Sequence, residues 1–324
     1  MKINDLKYLL LFLLCLFVLA LRSQETKIID SLKQALKSSK HDTTRCSILN
    51  ELITAEYDEK VWPKYNQQLL DISLKNIKIS NPNERKFYLS CYAVSLNNFG
   101  YLYVKQGDIL KAFEYFNKSL PIQKEINDKL GMAGSLLNLG MLFRQQGNIT
   151  KALEYYHSAL KLQIDVNNKT GIADSYNNIG FIYDSQGEYL KAYEYYNKAL
   201  NINIQINNKN GIAICYTNIA FLYNTKSELF ISGSNEQRAK NGHKQALEYL
   251  NKSNKIQEEI NDNEGLASSL NSIGNLYENY GDPNCNLSID ECIIISQKKA
   301  FDYYIKALEL RKDINSKAGI SNFI

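Results

Sequence analysis

A frame of 40 residues, restated along the chain, limits what this sequence can fold into more than any other feature. Leu96-x2-Phe99-Gly100-x2-Tyr103 is followed by Ala112-x3-Phe116, Leu136-x2-Leu139-Gly140-x2-Phe143 by Ala152-x3-Tyr156, and Tyr176-x2-Ile179-Gly180-x2-Tyr183 by Ala192-x3-Tyr196. Within the unit Ala133 to Gly171, the apolar residues fall at helical spacing on either side of a Gln-Gln-Gly-Asn break at Gln145 to Asn148. Each unit therefore reads as two helices joined by a tight turn. A single pair cannot bury its apolar face alone, so the pairs must stack in sequence order.

These residues resemble the tetratricopeptide repeat, whose signature of a large apolar residue, Leu, Gly or Ala, Tyr, then Ala and an aromatic is met in order. The proline that usually closes the 34-residue repeat is absent, and six further residues stand in its place, as in the longer form of kinesin light chains and many bacterial arrays. The resemblance implies an all-α fold, a right-handed superhelical solenoid of antiparallel helix pairs. Length and composition, 324 residues with 44% hydrophobic and 22% charged, are those of a globular chain long enough for two domains. Repetition argues instead for one elongated array. The expected organisation is a signal peptide at 1–23, a degenerate capping repeat at 24–90, repeats at 91–130, 131–170 and 171–210, two repeats with insertions at 211–264 and 265–318, and the start of a further, truncated repeat at 319–324.

At the amino terminus, Lys2 and Lys7 precede an apolar run of 13 residues, Leu9 to Leu21. That is short of the roughly 20 residues a membrane span needs, but it suits a secretory signal cleaved near Ser23. Leu21 is not the small residue preferred near such a site, which leaves an uncleaved anchor as the alternative. Leu14 ahead of Cys15 argues against a lipoprotein. The formal charge of +4 gives no basic stripe for nucleic acid. Of the remaining cysteines, Cys46, Cys91 and Cys215 read as small core residues. Cys285 and Cys292 share one insertion, and export makes a disulfide between them reasonable.

The repeats close on one phrase: Asn127-Asp128-Lys129-Leu130-Gly131, Asn167-Asn168-Lys169-Thr170-Gly171, Asn207-Asn208-Lys209-Asn210-Gly211, Asn261-Asp262-Asn263-Glu264-Gly265 and Asn315-Ser316-Lys317-Ala318-Gly319. Asn and Gly tolerate left-handed backbone, so the phrase reads as a helix stop and restart. The last two repeats each carry 14 extra residues between helices A and B, since Gly100 to Ala112 spans 12 positions while Ala220 to Ala246 and Gly274 to Ala300 each span 26. The first insertion, Asn224 to His243, reads as a polar mobile loop, and the second, Glu278 to Gln297, as an ordered one. The chain stops one turn into what should be the next helix A, which points to a fragment of a longer protein.

Little in the sequence can carry chemistry. The histidines 41, 157 and 243 are scattered, no phosphate loop or nucleophile elbow occurs, and no cofactor or metal site is expected. The series Asp282, Asn284, Asn286, Ser288, Asp290 has the alternation of a calcium loop but fails at Leu287 and Ile293. The pairs Tyr155-Tyr156, Tyr195-Tyr196 and Tyr303-Tyr304 read as core. Two positions before each repeat glycine or alanine stand Asn98, Asn138, Asn178 and Asn218, then Ser272. In the family that this chain resembles, helix A lines the concave groove, and such asparagines pair with the backbone of an extended peptide. Tyr101, Lys105, Arg144, Phe181 and Phe221 are the expected neighbours. The sequence thus suggests an exported, periplasmic, non-enzymatic scaffold for a peptide or protein segment. The alternative is the extracytoplasmic sensor portion of a longer signalling protein, a membrane histidine kinase or transcriptional regulator. A membrane is a partner only if the first segment stays uncleaved or a span follows.

Overall fold

A computed structural model describes residues 27–56, 58, 60–78 and 81–320. The expected signal peptide and residues 321–324 lie outside them. The described residues form helices and no strand: α1 (27–38), α2 (Asp42–Ala55), α3 (Trp62–Asn76), α4 (Pro82–Lys105), α5 (Ile109–Glu125), α6 (Lys129–Gln145), α7 (Ile149–Asp165), α8 (Lys169–Ser185), α9 (Tyr189–Gln205), α10 (Lys209–Thr225), α11 (Ser227–Phe230), α12 (Asn235–Glu259), α13 (Asn263–Tyr280) and α14 (Ile289–Ile320). Two compact units divide the chain, Met1–Leu142 and Phe143–Ile324, with the boundary inside α6.

In the first unit, α2, α3 and α4 meet around Cys46, Leu49, Leu69, Ile72, Tyr88 and Cys91. Pro63 sits in the first turn of α3, where its missing N–H costs no helical bond, and Trp62 beside it is buried. The Asp42-Thr43-Thr44 stretch has the residue types of a helix cap, but none of the three caps α2. His41 stands at the cap position without a side-chain bond, and Asp42 instead pairs with Arg45 and accepts from Asn76 Nδ2 at 2.9 Å. Downstream, the ring of Phe116 lies 2.5 Å from where a Cβ on Gly100 would stand, so the repeat glycine lets helix B approach helix A.

The second unit repeats that contact with a larger ring, Tyr196 Cδ1 standing 2.8 Å from a Cβ placed on Gly180. Tyr196, Ala199, Cys215, Ile219 and Leu222 then form one buried cluster across α9 and α10. Ahead of buried Tyr156 and Tyr196, Tyr155 stacks on Phe143 (5.2 Å) and Tyr195 on Tyr183 (5.4 Å) of helix A; Tyr303 stacks likewise on Tyr277 (5.7 Å), but Tyr304 behind it is only half-buried, not the core residue expected. A lysine of helix B covers the helix-A ring in each case, Lys151 over Phe143, Lys191 over Tyr183 and Lys299 over Tyr277 at 5.0, 5.1 and 5.2 Å.

The phrase between repeats divides its labour differently from the sequence expectation. Only its first residue is left-handed, with φ of 57° at Asn127, 52° at Asn167, 53° at Asn207 and 56° at Asn261. The second residue caps the next helix, Asn168 Oδ1 accepting from Gly171 N and Asp262 Oδ1 from Gly265 N. The glycine is ordinary helix and serves close packing, because a Cβ on Gly171 would collide with the Gln163 amide. Gln163 Oε1 in turn accepts from Ser175 Oγ at 2.6 Å, and Gln257 receives Ser269 in the same way at 2.7 Å. At the fifth copy, α14 continues through Asn315 to Ile320, and the expected stop is not made. There Ser316 replaces the Asp or Asn that caps the next helix in the other copies.

The insertions extend helix B more than they lengthen a loop. Helix α9 starts three residues before Ala192, whereas α12 starts 11 before Ala246 and α14 starts 11 before Ala300. The first insertion is thus mostly helical rather than a mobile loop. Gly242 serves close packing, since a Cβ there would strike the Ser227 side chain. His243 is buried against the Tyr280 ring, centroids 3.9 Å apart, and burial pushes its pKa down. In the second insertion Cys285 and Cys292 are joined by a disulfide, Cα atoms 5.8 Å apart. The polar series there is occupied by helix capping. Ser288 and Glu291 hold each other across the first turn of α14, and Asp282 accepts from Asn284 N and pairs with Lys299.

Candidate functional site

Helices α8, α10 and α13 set their exposed faces side by side within the second unit. A cavity of about 530 Å³ opens there, lined by Phe181, Asp184 and Ser185 of α8, Thr217, Asn218, Phe221, Asn224 and Thr225 of α10, and Ser272 and Leu276 of α13, with Tyr189 and Leu250 behind. Phe181 and Phe221 are 41% and 53% exposed, large apolar rings left in water on a wall of amides and hydroxyls.

Of the residues singled out from sequence, Phe181, Asn218 and Phe221 meet in this cavity, and Arg144 joins them indirectly by laying its guanidinium 4.6 Å over the Phe181 ring. Asn178 is half-buried on α8 and does not line the cavity. Asn98, Tyr101, Lys105 and Asn138 belong to the first unit, where Lys105 lies 5.7 Å over the Tyr101 ring. Two members of the asparagine series are engaged within the fold. Asn98 Nδ2 donates to Asn66 Oδ1 at 2.9 Å, and Asn218 Nδ2 donates to Asn177 Oδ1 at 2.8 Å. No side-chain hydrogen bond of Asn138 or Asn178 is found among the described residues.

Asp184 is the one charged residue of the lining. Its carboxyl is half-buried, and burial raises its pKa. The same burial, with the Asp184 charge next in size, pushes up the hydroxyl of Tyr196 beneath it. At the equivalent position of a later repeat, four residues after Gly274, Glu278 Oε2 accepts from the Tyr304 hydroxyl at 2.5 Å. Asp184 is not among the residues that the sequence singled out; the signal that could have found it is the change from Arg144 to Asp184 to Asn224 at one position of the frame. Among the described residues, no group of three or more His, Cys, Asp or Glu side chains is placed to hold a metal ion.

The family comparison agrees with the stacked helix pairs. Residues 91–165 and 171–229 match the tetratricopeptide repeat family. Those two stretches carry tetratricopeptide repeats. Solved structures share the fold at low identity. BtubC (BKLC) from P. vanneervenii is 18% identical, with TM-score 0.55 over 80% of this chain and 93% of that one. Aspartyl phosphate phosphatase F from Bacillus subtilis is 15% identical, with TM-score 0.58 over 89% and 68%. The signal transduction ATPase with a tetratricopeptide repeat sensor from Pyrococcus horikoshii is 19% identical, with TM-score 0.59 over 93% and 42%. A search of curated proteins returns no match.

Proposed function

We propose that this repeat array binds an extended peptide or protein segment along its helix-A face, without catalysing a reaction. The observation that carries the reading is the cavity on α8, α10 and α13, where exposed Phe181 and Phe221 stand among amides and hydroxyls. Such a wall offers apolar area for side chains and polar atoms for a peptide backbone. We extend the proposal to location: residues 1–23 direct export, and the Cys285–Cys292 disulfide suits an oxidising compartment such as the periplasm. A second reading, the sensor portion of a longer signalling protein, draws support from the Pyrococcus horikoshii protein, whose description pairs an ATPase with a repeat sensor.

The engaged amides decide the experiment. Replacing Asn98 or Asn218 also removes a bond that holds neighbouring helices, so their loss mixes folding with binding. Asn138→Ala/Asn178→Ala is the cleaner pair. With peptides selected from a displayed random library, it should weaken binding by roughly tenfold or more, given about 1–3 kcal/mol per orphaned backbone group. Unchanged affinity in the folded double variant would remove those two amides from the site. Fractionation with thiol labelling checks the location: a cytoplasmic product with both thiols reduced would refute export.

A further inference from the structure

The polar atoms that line the α8/α10/α13 cavity are nearly all of one kind. Three of its Ser and Thr hydroxyls have their proton turned back into their own helix, Ser185 Oγ donating to Ile182 O (2.7 Å), Thr225 Oγ1 to Phe221 O (2.9 Å) and Ser272 Oγ to Ser268 O (3.1 Å), while Thr217 Oγ1 lies 3.1 Å from both Ala213 O and Ser253 Oγ, either of which can take its proton. Each hydroxyl then has only lone pairs left to offer a ligand. The amide nitrogen of Asn218 is held by Asn177. Asn224 Oδ1 is buried with no hydrogen-bond partner, and Asp184 forms no ion pair and accepts no side-chain hydrogen bond among the described residues. The wall therefore has an excess of acceptors, one of them charged, over its remaining donors, the Asn224 amide nitrogen, the second N–H of Asn218 and the Tyr189 hydroxyl.

A buried acceptor without a donor costs free energy, and a half-buried carboxylate without a cation costs more. The ligand group that relieves both brings several N–H donors and a positive charge. We propose, building on the peptide-binding reading, that this cavity receives a basic side chain of the bound segment, with arginine preferred over lysine. A guanidinium presents five donors in a plane, enough to reach Asp184 and Asn224 together, and its face packs on phenyl rings as the ammonium of lysine does less well. The site already shows that affinity on its other side, where Arg144 covers Phe181 at 4.6 Å. Phe221 is the second exposed ring and supplies apolar wall for the aliphatic stem of the incoming residue.

The test begins by panning a library of random dodecapeptides against the full chain and synthesising the enriched sequences. These should carry Arg or Lys at a recurring position flanked by apolar residues. Changing that residue to Gln should lower affinity by about tenfold or more, as loss of a charge-assisted bond does. Asp184→Asn should produce the same loss with the Arg peptide and almost none with the Gln peptide, because the two changes remove one interaction. Circular dichroism on Asp184→Asn checks that it folds; the variant removes a desolvated charge and keeps the side-chain size, and a second variant, Asn224→Asp, should raise affinity for the Arg peptide. Enriched peptides without a basic residue, or full affinity for the Arg peptide in Asp184→Asn, overturn this inference and leave peptide binding in place. Failure of any sequence to enrich overturns both.

Discussion

The repeat α8–α9 and the repeat α10–α12 solve the same packing problem with different residues. In the first, Gly180 lies under the ring of Tyr196, and a three-residue turn crosses from one helix to the other with Gly187 at φ 78°. Lys191 then covers the Tyr183 ring. In the second, Ala220 and Leu250 occupy the corresponding places in one cluster, and 14 extra residues enter between the helices. Gln245 replaces the covering lysine, and Tyr223 packs instead on Phe230 of α11 at 5.2 Å and on Tyr193 at 6.0 Å. Small against large becomes medium against medium, so the seam keeps its volume while its edge is rebuilt. Stacking constrains the seam, and it leaves the edge open to change.

The strongest way to break this comparison is to empty the larger side. Tyr196→Ala removes a fully buried ring and should cost about 3–5 kcal/mol in denaturant titration, whereas Leu250→Ala in the rebuilt repeat should cost about 2–5 kcal/mol. Equal insensitivity at both sites would mean that the seam does not carry the stability. Next in size is the second insertion. Opening the disulfide by Cys285→Ser/Cys292→Ser releases a loop of eight residues, worth about 2.5 kcal/mol on the chain-entropy account if unfolding of that region is cooperative with its neighbours. Hydrogen exchange confined to 281–288 with an unchanged midpoint would show instead that the loop opens by itself.

The swap of small residues sharpens the comparison. Gly180→Ala pushes a methyl into the Tyr196 ring and should destabilise by about 1–3 kcal/mol, while Ala220→Gly should lose only about 1 kcal/mol of helix propensity together with a small cavity. Gly180→Ala/Tyr196→Leu rebuilds the other repeat's solution and should recover part of the first loss; additive losses would refute the idea of a shared volume. Lys191→Met should have a smaller effect still, because the cation that covers the Tyr183 ring is exposed and its attraction is screened by water. A pH series on Asp184→Asn gives the smallest shift. Burial raises the folded pKa of Asp184, so its protonated form favours the fold at low pH and that contribution is lost as pH rises through the folded value. The variant should therefore melt slightly higher than the parent near neutral pH and converge with it in acid.

The periodic features were legible in the sequence because stacking forces them to recur. Gly100, Gly140 and Gly180, the alanines opposite them and the Asn-rich phrase marked the helices to within a few residues. The role of Gly171 was misread because composition shows that a residue lacks a Cβ and does not show whether conformation or a neighbour requires it; here the Gln163 amide does. The first insertion read as a loop because its helix, Asn235 onward, is exposed and polar over its added turns, and a solvated helix carries little apolar periodicity. At the candidate site, Phe181, Asn218 and Phe221 followed from the frame. Which way the hydroxyls of Ser185 and Thr225 turn depends on local geometry, which spacing does not encode.

Trp62, buried at the start of α3, is the only tryptophan of the chain, against 23 tyrosines. Indole emission excited at the red edge of the spectrum therefore reports one location near the amino-terminal end, while helical ellipticity averages over every repeat. In an array whose units interact with their nearest neighbours, the two optical signals need not change together. Their separation along a urea gradient measures directly how far cooperativity reaches from α3, with no label added and no residue altered.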